Sequence, residues 1–526
     1  EMRALEAAAI EAGTPERVLQ ERAGLAVADI IEAELASRPA DGWTGRSARI
    51  LALAGAGNNG RDAVVAGRRL RARGCAVEIW HGSRNPLSTT ELEDIAGEGI
   101  RIHRYDRDQD APHLDAVLAA ADIVIDGLLG VGSRGPMRPE QARVAGALNL
   151  ARGRTGGPQV VAVDVPSGID ADDGSVPGVA VYADITVTFG AVKAGLLRFP
   201  AATHGGRLVV GRIGLRAGHA DGFTAQILDA ERVRRSVPHR AADAHKYRVG
   251  RVLVVAGSDQ YVGAACLGSE AAARAGAGLI GLVSTEAVKH VLATRLPEAT
   301  YPLTLTDMEA RPEAAAEAVA ALLPDQNALL VGPGIGRSES TERFLRSLLS
   351  FNARQTQRVP AVIDADALSL LADWPRWWEQ IGPGNILTPH AGEMARLLTS
   401  DPDLGDAKDE PPWETARRTA ERWSQVIVLK GPFTCVAAAD DTTWIYPHAN
   451  PALATAGTGD VLAGLTAGLV AQGLSGVAAA QLAVVTHAEA ARRVTARFRG
   501  ATLLASDLPQ VVPGVLAALG SGHSAV

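Results

Sequence analysis

Short apolar runs that end in glycine or a polar turn recur along this chain, and stretches of helical character separate them. In the first part the runs are residues 48–54, 77–80, 122–125, 160–163 and 185–189, after a helical opening over 2–35. From Arg251 the pattern starts again, with VLVVAG, then ALLVG (328–332), AVID (361–364), ILT (386–388) and VIVLK (426–430). This alternation marks βαβ units built on a mostly parallel sheet. TCVAAADDTTWIYP (434–447) predicts a hairpin turning at Asp440 and Asp441. An Arg-, His- and Ala-rich stretch between the two series places a domain boundary near 215–240, set here as 1–222 and 223–526.

At 526 residues the chain is too long for a single core. Hydrophobic content of 47 %, 56 glycines and 4 % aromatic residues suit a compact α/β protein rich in Ala, Gly and Val. A net charge of −7 and a pI near 6.0 give no electrostatic case for nucleic acid or an anionic membrane as partner. Cys75, Cys266 and Cys435 form neither a metal spacing nor an even disulfide set, so a reducing cytoplasm is expected. The most apolar stretch, 461–485, carries Gln472, Gln481 and several glycines, and reads as core helices rather than a membrane span. The chain opens Glu-Met-Arg-Ala-Leu-Glu, already helical in character and without a cationic-then-apolar leader, so the true N-terminus is expected to be missing. Only five lysines occur (Lys193, Lys246, Lys289, Lys408 and Lys430), and in so Arg-biased a chain each hints that a compact ammonium is wanted.

In open parallel sheets ligands sit beyond the C-terminal ends of strands, and the polar clusters fall there. Two sites are expected. After RILALA comes Gly55-Ala-Gly57-Asn58-Asn59-Gly60-Arg61-Asp62, literally G-x-G-x-x-G, with Glu78 18 residues beyond Gly60. A dinucleotide turn is one reading, yet the asparagines are more polar than a pyrophosphate turn needs, and Glu78 lies inside its strand. A Gly-rich turn with left-handed Asn is the structural alternative. Asp126 ends DIVID before the loop Gly127–Pro136, and Asp164 and Ser167 flank Pro166 in VVAVDVPSGID. An Asp in an apolar strand is costly unless paired or chemical. Lys193 follows a fourth strand.

Together these motifs resemble the NAD(P)H-hydrate epimerase domain over about residues 1–215, a Rossmann-like fold. The resemblance implies that hydrated NADH or NADPH binds through Asn58, Asn59, Gly60, Arg61 and Asp62 and through Gly130, Val131, Gly132, Ser133, Arg134, Gly135 and Pro136. It also implies Asp164 as the acid/base residue and K⁺ held by Asn59, Asp126 and Ser167. Arg61 and Ala63 stand where the family has glycine.

In the second half, His245-Lys246 precedes RVLVVA and the turn GSDQYVGA, and a helix is expected to end in ARAGAGLIGLV. GPGIG (332–336), Asp364 and Asp366 in DADAL, TPHAGE (388–393) and KGPFT (430–434) follow further strands. The last motif is NPALATAGTGD, in which a Gly-Thr-Gly-Asp turn opens a helix expected to begin near Val461. The first N–H groups and dipole of such a helix favour an anion, and Asp460 at its mouth is either an N-cap or a proton acceptor.

As an ordered set these motifs look like the ribokinase-like ADP-dependent NAD(P)H-hydrate dehydratase, over about 225–515. The implied fold class is thus α/β with two three-layer αβα domains, Rossmann-like and then ribokinase-like. The resemblance implies Asp460 as catalytic base and Gly459 with Lys430, Gly431, Pro432, Phe433 and Thr434 on the nucleotide. Ala264, Gly334 and His390 would line the hydrate site, with Mg²⁺ carried by ADP. Hydroxide is a poor leaving group, so the hydroxyl on the damaged ring is phosphorylated and phosphate is then eliminated. The expectation is repair of both epimers of NADHX and NADPHX, with ADP consumed and AMP released. The chain is expected to be a cytoplasmic homo-oligomer with no nucleic acid or membrane partner. The alternative is a ribokinase-like small-molecule kinase carrying a non-catalytic N-terminal interaction domain.

Overall fold

The computed structural model describes residues 2–37, 47–82, 87–105, 111–215, 225–243, 245, 249–405, 407–408, 410–440, 442–498 and 502–521. Lys246 and Asp441 lie outside them. The chain forms two compact units, Glu1–Gly222 and Phe223–Val526.

Unit 1 holds strands β1 (Arg49–Ala54), β2 (Ala76–His81), β3 (Arg101–Arg104), β4 (Ile123–Gly127), β5 (Gln159–Val163), β6 (Ile185–Phe189) and β7 (Arg207–Gly211). They form one parallel sheet in the order β3-β2-β1-β4-β5-β6-β7. Successive side chains leave a strand on opposite faces, and the core divides accordingly. Ile50, Ala52, Ile123 and Ile125 pack with Val27, Val64 and Leu70 of the helices Glu16–Ser37 and Asn58–Ala72. Leu51, Leu53 and Val124 pack with Leu114 and Leu148 of the helices Ala111–Ala120 and Pro139–Arg152 on the other side. The result is a helix–sheet–helix sandwich. The order reverses between β1 and β4, which opens a crevice at their C-terminal ends.

Unit 2 repeats the plan with β8 (Ala225–Ile227), β9 (Arg251–Val255), β10 (Leu279–Ser284), β11 (Thr300–Thr304), β12 (Ala328–Val331), β13 (Ala361–Ile363), β14 (Ile386–Leu387), β15 (Val426–Leu429), β16 (Cys435–Ala437) and β17 (Thr443–Ile445). The order is β11-β10-β9-β12-β13-β14-β15-β16-β17-β8, parallel up to β15 and antiparallel at the β15–β16–β17 hairpins. Its reversal lies between β9 and β12. The helices Val262–Arg274 and Thr458–Ala471 cross over one face, where a Cβ on Gly464 would collide with the Gly268 carbonyl.

Three expectations need correction. The opening helix over 2–35 is two helices, Met2–Glu11 and Glu16–Ser37, because Gly13 turns left-handed (φ 96°) just before Pro15. ARAGAGLIGLV does not finish a helix. The helix stops at Arg274, Gly276 turns the chain (φ 108°), and Leu279–Ser284 is strand β10. The helix expected near Val461 begins at Thr458 with Gly457 as N-cap (φ 88°), so Asp460 is the third helical residue and not the cap. Among the described residues no helix is long and apolar enough to cross a membrane.

Candidate active sites at two strand-end crevices

In unit 1 a cleft of about 480 Å³ lies over the β1–β4 crevice. Asn58 to Asp62 form the first turn of the helix that follows β1, so both asparagines are helical and the left-handed alternative fails. Gly60 is required for a different reason: a Cβ there would strike the Gly55 carbonyl. Asn58, Asn59, Gly60, Asp62, Asp164 and Gly130 to Ser133 all line the cleft. Arg61, Arg134, Gly135 and Pro136 are not among its lining residues. Arg61 lies 3.6 Å from Glu91, and Arg134 pairs with the exposed Asp172 at 2.7 Å. Ala63 is fully buried.

Beneath the cleft lies a polar cluster. Asp126 is fully buried and accepts hydrogen bonds from the Ser167 hydroxyl (2.6 Å), Ser167 N–H (2.8 Å) and Leu128 N–H (3.3 Å). Burial raises its pKa against the lowering effect of those donors. Among the described residues no ammonium or guanidinium pairs with it. The Asn59 amide donates to the carbonyls of Val163 (2.5 Å) and Leu129 (3.3 Å). The structure therefore brings Asn59, Asp126 and Ser167 together, with carbonyl oxygens beside them.

Asp164 follows β5 in a left-handed conformation (φ 64°), a strain of about 1 kcal/mol that bulky neighbours must hold in place. Its Oδ1 accepts from Lys193 Nζ, Phe189 N–H (3.0 Å) and Thr188 Oγ1 (3.2 Å). Lys193 also donates to Thr188 Oγ1 and the Phe189 carbonyl, each at 3.0 Å. The ammonium is thus saturated, and Asp164 Oδ2 makes no hydrogen bond among the described residues. The sequence flagged Lys193 by its rarity but gave it no role. It also missed Glu16 and Gln20, which wall the cleft from the N-terminal helices, with Gln20 donating to Asn58 Oδ1 at 3.3 Å.

In unit 2 the second cluster gathers at the ends of β13, β14 and β15 and at the start of the helix Thr458–Ala471. Lys430 Nζ lies 2.7 Å from Asp364 Oδ1 and 3.7 Å from Glu393 Oε2. A Cβ built on Gly459 would stand 3.3 Å from the same nitrogen. Burial favours neutral Lys430, but Asp364 and Glu393 outweigh it and raise its pKa. Asp460 is half-buried, and desolvation together with Asp364 pushes its pKa up to about 7, against the pull of Lys430. A carboxylate poised near neutrality at a helix N-terminus suits proton abstraction.

His390 is the N-cap of the helix Ala391–Thr399. Its Nδ1 accepts from Gly392 N–H (3.0 Å) and Glu393 N–H (3.3 Å), while Glu393 bonds back to His390 N–H (2.8 Å). The backbones of His390 and Lys430 form a parallel bridge. Asp366 holds the glycine loop through Gly336 N–H (3.1 Å) and Arg337 (2.7 Å). Gly334 packs on Tyr261 and Ala264, where a Cβ would come within 3.0 Å of Ala264 Cβ. Gly431 and Pro432 are exposed, and Phe433 and Thr434 partly so, leading into β16. Sequence reasoning gave no sign of His487. It is buried, and burial pulls its pKa down to about 4 against the opposing effect of the nearby Thr458 backbone.

Residues 252–513 match the family model of the NAD(P)H-hydrate dehydratase, and residues 16–195 match that of the YjeF-related protein N-terminus. The bifunctional NAD(P)H-hydrate repair enzyme of Moorella thermoacetica is 37% identical over 510 residues, covering 95% of this chain and 92% of the relative. The chain belongs to the bifunctional NAD(P)H-hydrate repair enzyme family. Another family member, from Salinibacter ruber, is 36% identical over 493 residues, covering 89% of this chain and 87% of its own. A solved ADP/ATP-dependent NAD(P)H-hydrate dehydratase from Bacillus subtilis, co-crystallized with ATP/Mg²⁺, is 31% identical, covering 56% of this chain and 98% of that one at a TM-score of 0.46. The Arg61 side chain is directed to Glu91.

Proposed function

We propose that the protein restores hydrated NADH and NADPH to working cofactor, with unit 1 epimerising the hydrates and unit 2 dehydrating one epimer with ADP. The observation that carries the reading is Asp460, uncommitted to capping and half-buried on the first turn of a helix, inside a chain that aligns over 95% of its length with a bifunctional repair enzyme. Asp460 takes the proton of the ring hydroxyl as its oxygen attacks the terminal phosphoryl group of ADP. The O–P bond forms as the phosphoryl bond to AMP breaks; the ring C–O bond then breaks to release inorganic phosphate while the adjacent ring carbon gives up a proton to solvent, and the C–H electron pair restores the ring double bond. Gly457 to Gly459 and the helix dipole face the charge that develops on the phosphoryl oxygens. Lys430, clamped by Asp364, adds a fixed positive charge beside Gly459 and does not swing freely to the nucleotide. Lys430 to Thr434 flank the nucleotide, while Ala264, Gly334 and His390 wall the hydrate.

This donor set, backbone N–H groups and an ammonium, suits phosphoryl oxygens, so Mg²⁺ would be held chiefly by the polyphosphate and keep its waters. Bound there, it supplies charge neutralisation for transfer.

In unit 1, inversion of a hydroxyl-bearing carbon needs a bond to break and reform, with a proton moved each time. Asp164 is the acid/base group: Lys193 fixes Oδ1 and leaves Oδ2 for the substrate. Asn59, Asp126 and Ser167 would hold K⁺. The fit is good, because a fully buried carboxylate that has no cationic side chain paired with it among the described residues stands among hydroxyl, amide and carbonyl oxygens. Bound there, the ion supplies the missing positive charge.

The test supplies both hydrate epimers with ADP and Mg²⁺ and follows the absorbance of reduced nicotinamide. Full recovery with AMP released is expected. Recovery that halts at one epimer would remove the role of unit 1, and no gain in absorbance would sink the whole reading.

A further inference from the structure

Glu78 is the carboxylate that a dinucleotide fingerprint would have used, yet it does not line the cleft. Strands β2 and β3 pair in parallel with Glu78 opposite Arg101 and Trp80 opposite His103. Residues two apart share a face, so Glu78, Trp80, Arg101 and His103 all point to one side of the sheet. The helix Ala111–Ala120 covers that side, burying Leu114 and Leu118 with Trp80, and brings His113. The His103 ring stacks on the Trp80 indole at 4.8 Å, and the His113 ring lies 5.0 Å from it, edge-on.

We propose that Glu78, His103 and His113 form a binding site for a divalent transition-metal ion of the zinc class. Glu78 Oε2 and His103 Nε2 are 3.5 Å apart, and one ligand atom from each of the three residues lies within 4.8 Å of the others. They are the one such group of three found among the described residues. Tetrahedral zinc holds ligand atoms about 3.4 Å apart, so the Glu–His pair is already spaced for it. His113 is exposed on the first turn of its helix and has to close by roughly 1 Å. Two imidazoles and a carboxylate select zinc, cobalt or copper over magnesium or calcium, which favour all-oxygen shells.

An ordinary ion pair accounts for only half of Glu78. Arg101 meets Oε1 at 2.7 Å but is 74% exposed, so the pair itself is worth little. Oε2 is buried and accepts no hydrogen bond among the described residues. A metal on Oε2 resolves that cost, with Arg101 as the outer partner that fixes the carboxylate and Trp80 as the plate that fixes the His103 ring. The ion would tie edge strand β3 to β2 and to the covering helix, leaving its fourth position to water.

The experiment uses the full chain, free of any affinity tag and stripped by chelator, titrated with Co²⁺ and with Zn²⁺ alone. A single equivalent of Co²⁺ should bind with visible d–d absorption that Zn²⁺ displaces. Zn²⁺ should raise the melting temperature in a concentration-dependent way. His113→Ala, on an exposed position, should weaken binding roughly tenfold or more, at least what loss of an outer partner costs. His103→Gln should do the same while keeping a planar group against Trp80. Hydrate repair should be unchanged in both. Absence of a saturable equivalent, or variants that bind Co²⁺ as the parent does, would overturn the proposal.

Discussion

The two strand-end sites solve the same problem, a carboxylate held at the crevice of a parallel sheet, in opposite ways. Asp164 is strained into a left-handed conformation and clamped through one oxygen by a saturated ammonium. Asp460 sits in relaxed helical backbone, and its ammonium neighbour is claimed by Asp364. The first carboxylate is fixed by a partner; the second is tuned by desolvation and by repulsion from like charges. The difference teaches that position in the fold selects the site, while burial and neighbouring like charges set the protonation behaviour of Asp460.

The sharpest way to break this comparison is to remove each carboxylate in turn. Asp460→Asn should cut ADP-driven dehydration by about 10²–10⁴-fold and leave epimerisation, followed by exchange between resolved epimers, intact. Asp164→Asn should do the reverse. Equal loss of both activities in either variant would refute separate sites. Next in size is the clamp. Lys193→Met leaves Asp164 buried without its cation and should destabilise unit 1 by about 3–5 kcal/mol, read from denaturant unfolding. The equivalent loss at Lys430 should be smaller in stability and larger in turnover.

Asp460 then predicts opposite pH trends for activity and stability. As a base it must be ionised, so dehydration should fall about tenfold per unit below pH 7. Its folded pKa lies above the unfolded value, so the folded state holds the extra proton between about 4 and 7, and stability declines as pH rises through that window. Asp460→Asn should therefore stabilise unit 2 by about 1–4 kcal/mol above pH 7. His487 has the contrary sign. Its folded pKa is depressed to about 4, so its contribution is present above the ordinary histidine value and fades as pH falls from about 6.5 to 4. His487→Gln should flatten that acid limb by about 3 kcal/mol at most, measured by thermal melts across pH. The smallest effect is expected at Gly276, where Ala at φ 108° should cost about 1 kcal/mol without touching either activity.

Much of both sites was legible because a parallel sheet puts its polar residues where apolar runs stop. Asn59, Asp126, Asp164, Asp364, His390 and Lys430 all stand at or beyond such ends. What failed to show has physical causes. Strand β3 reads RIHR because it is an edge, half-open to solvent, with no continuous apolar signal. LIGLVS was hidden behind an Ala/Gly helix whose period runs smoothly into it. The helix start at Thr458 was missed because Gly-Thr-Gly carries no apolar residue to set a phase. The Lys193–Asp164 clamp joins residues that only the sheet order brings together, and His487 looked like any other polar residue in a long helix.

The two N-terminal helices have a practical bearing. Ile10, Glu16, Leu19 and Gln20 form a wall of the unit 1 cleft, and the family match there begins only at residue 16. Starting the chain at residue 16 would leave the β-sheet whole and take Ile10, with the first helix, from the binding face. A preparation so shortened could fold, keep its dehydration step, and still discard half of the substrate pool for want of a side to the cup.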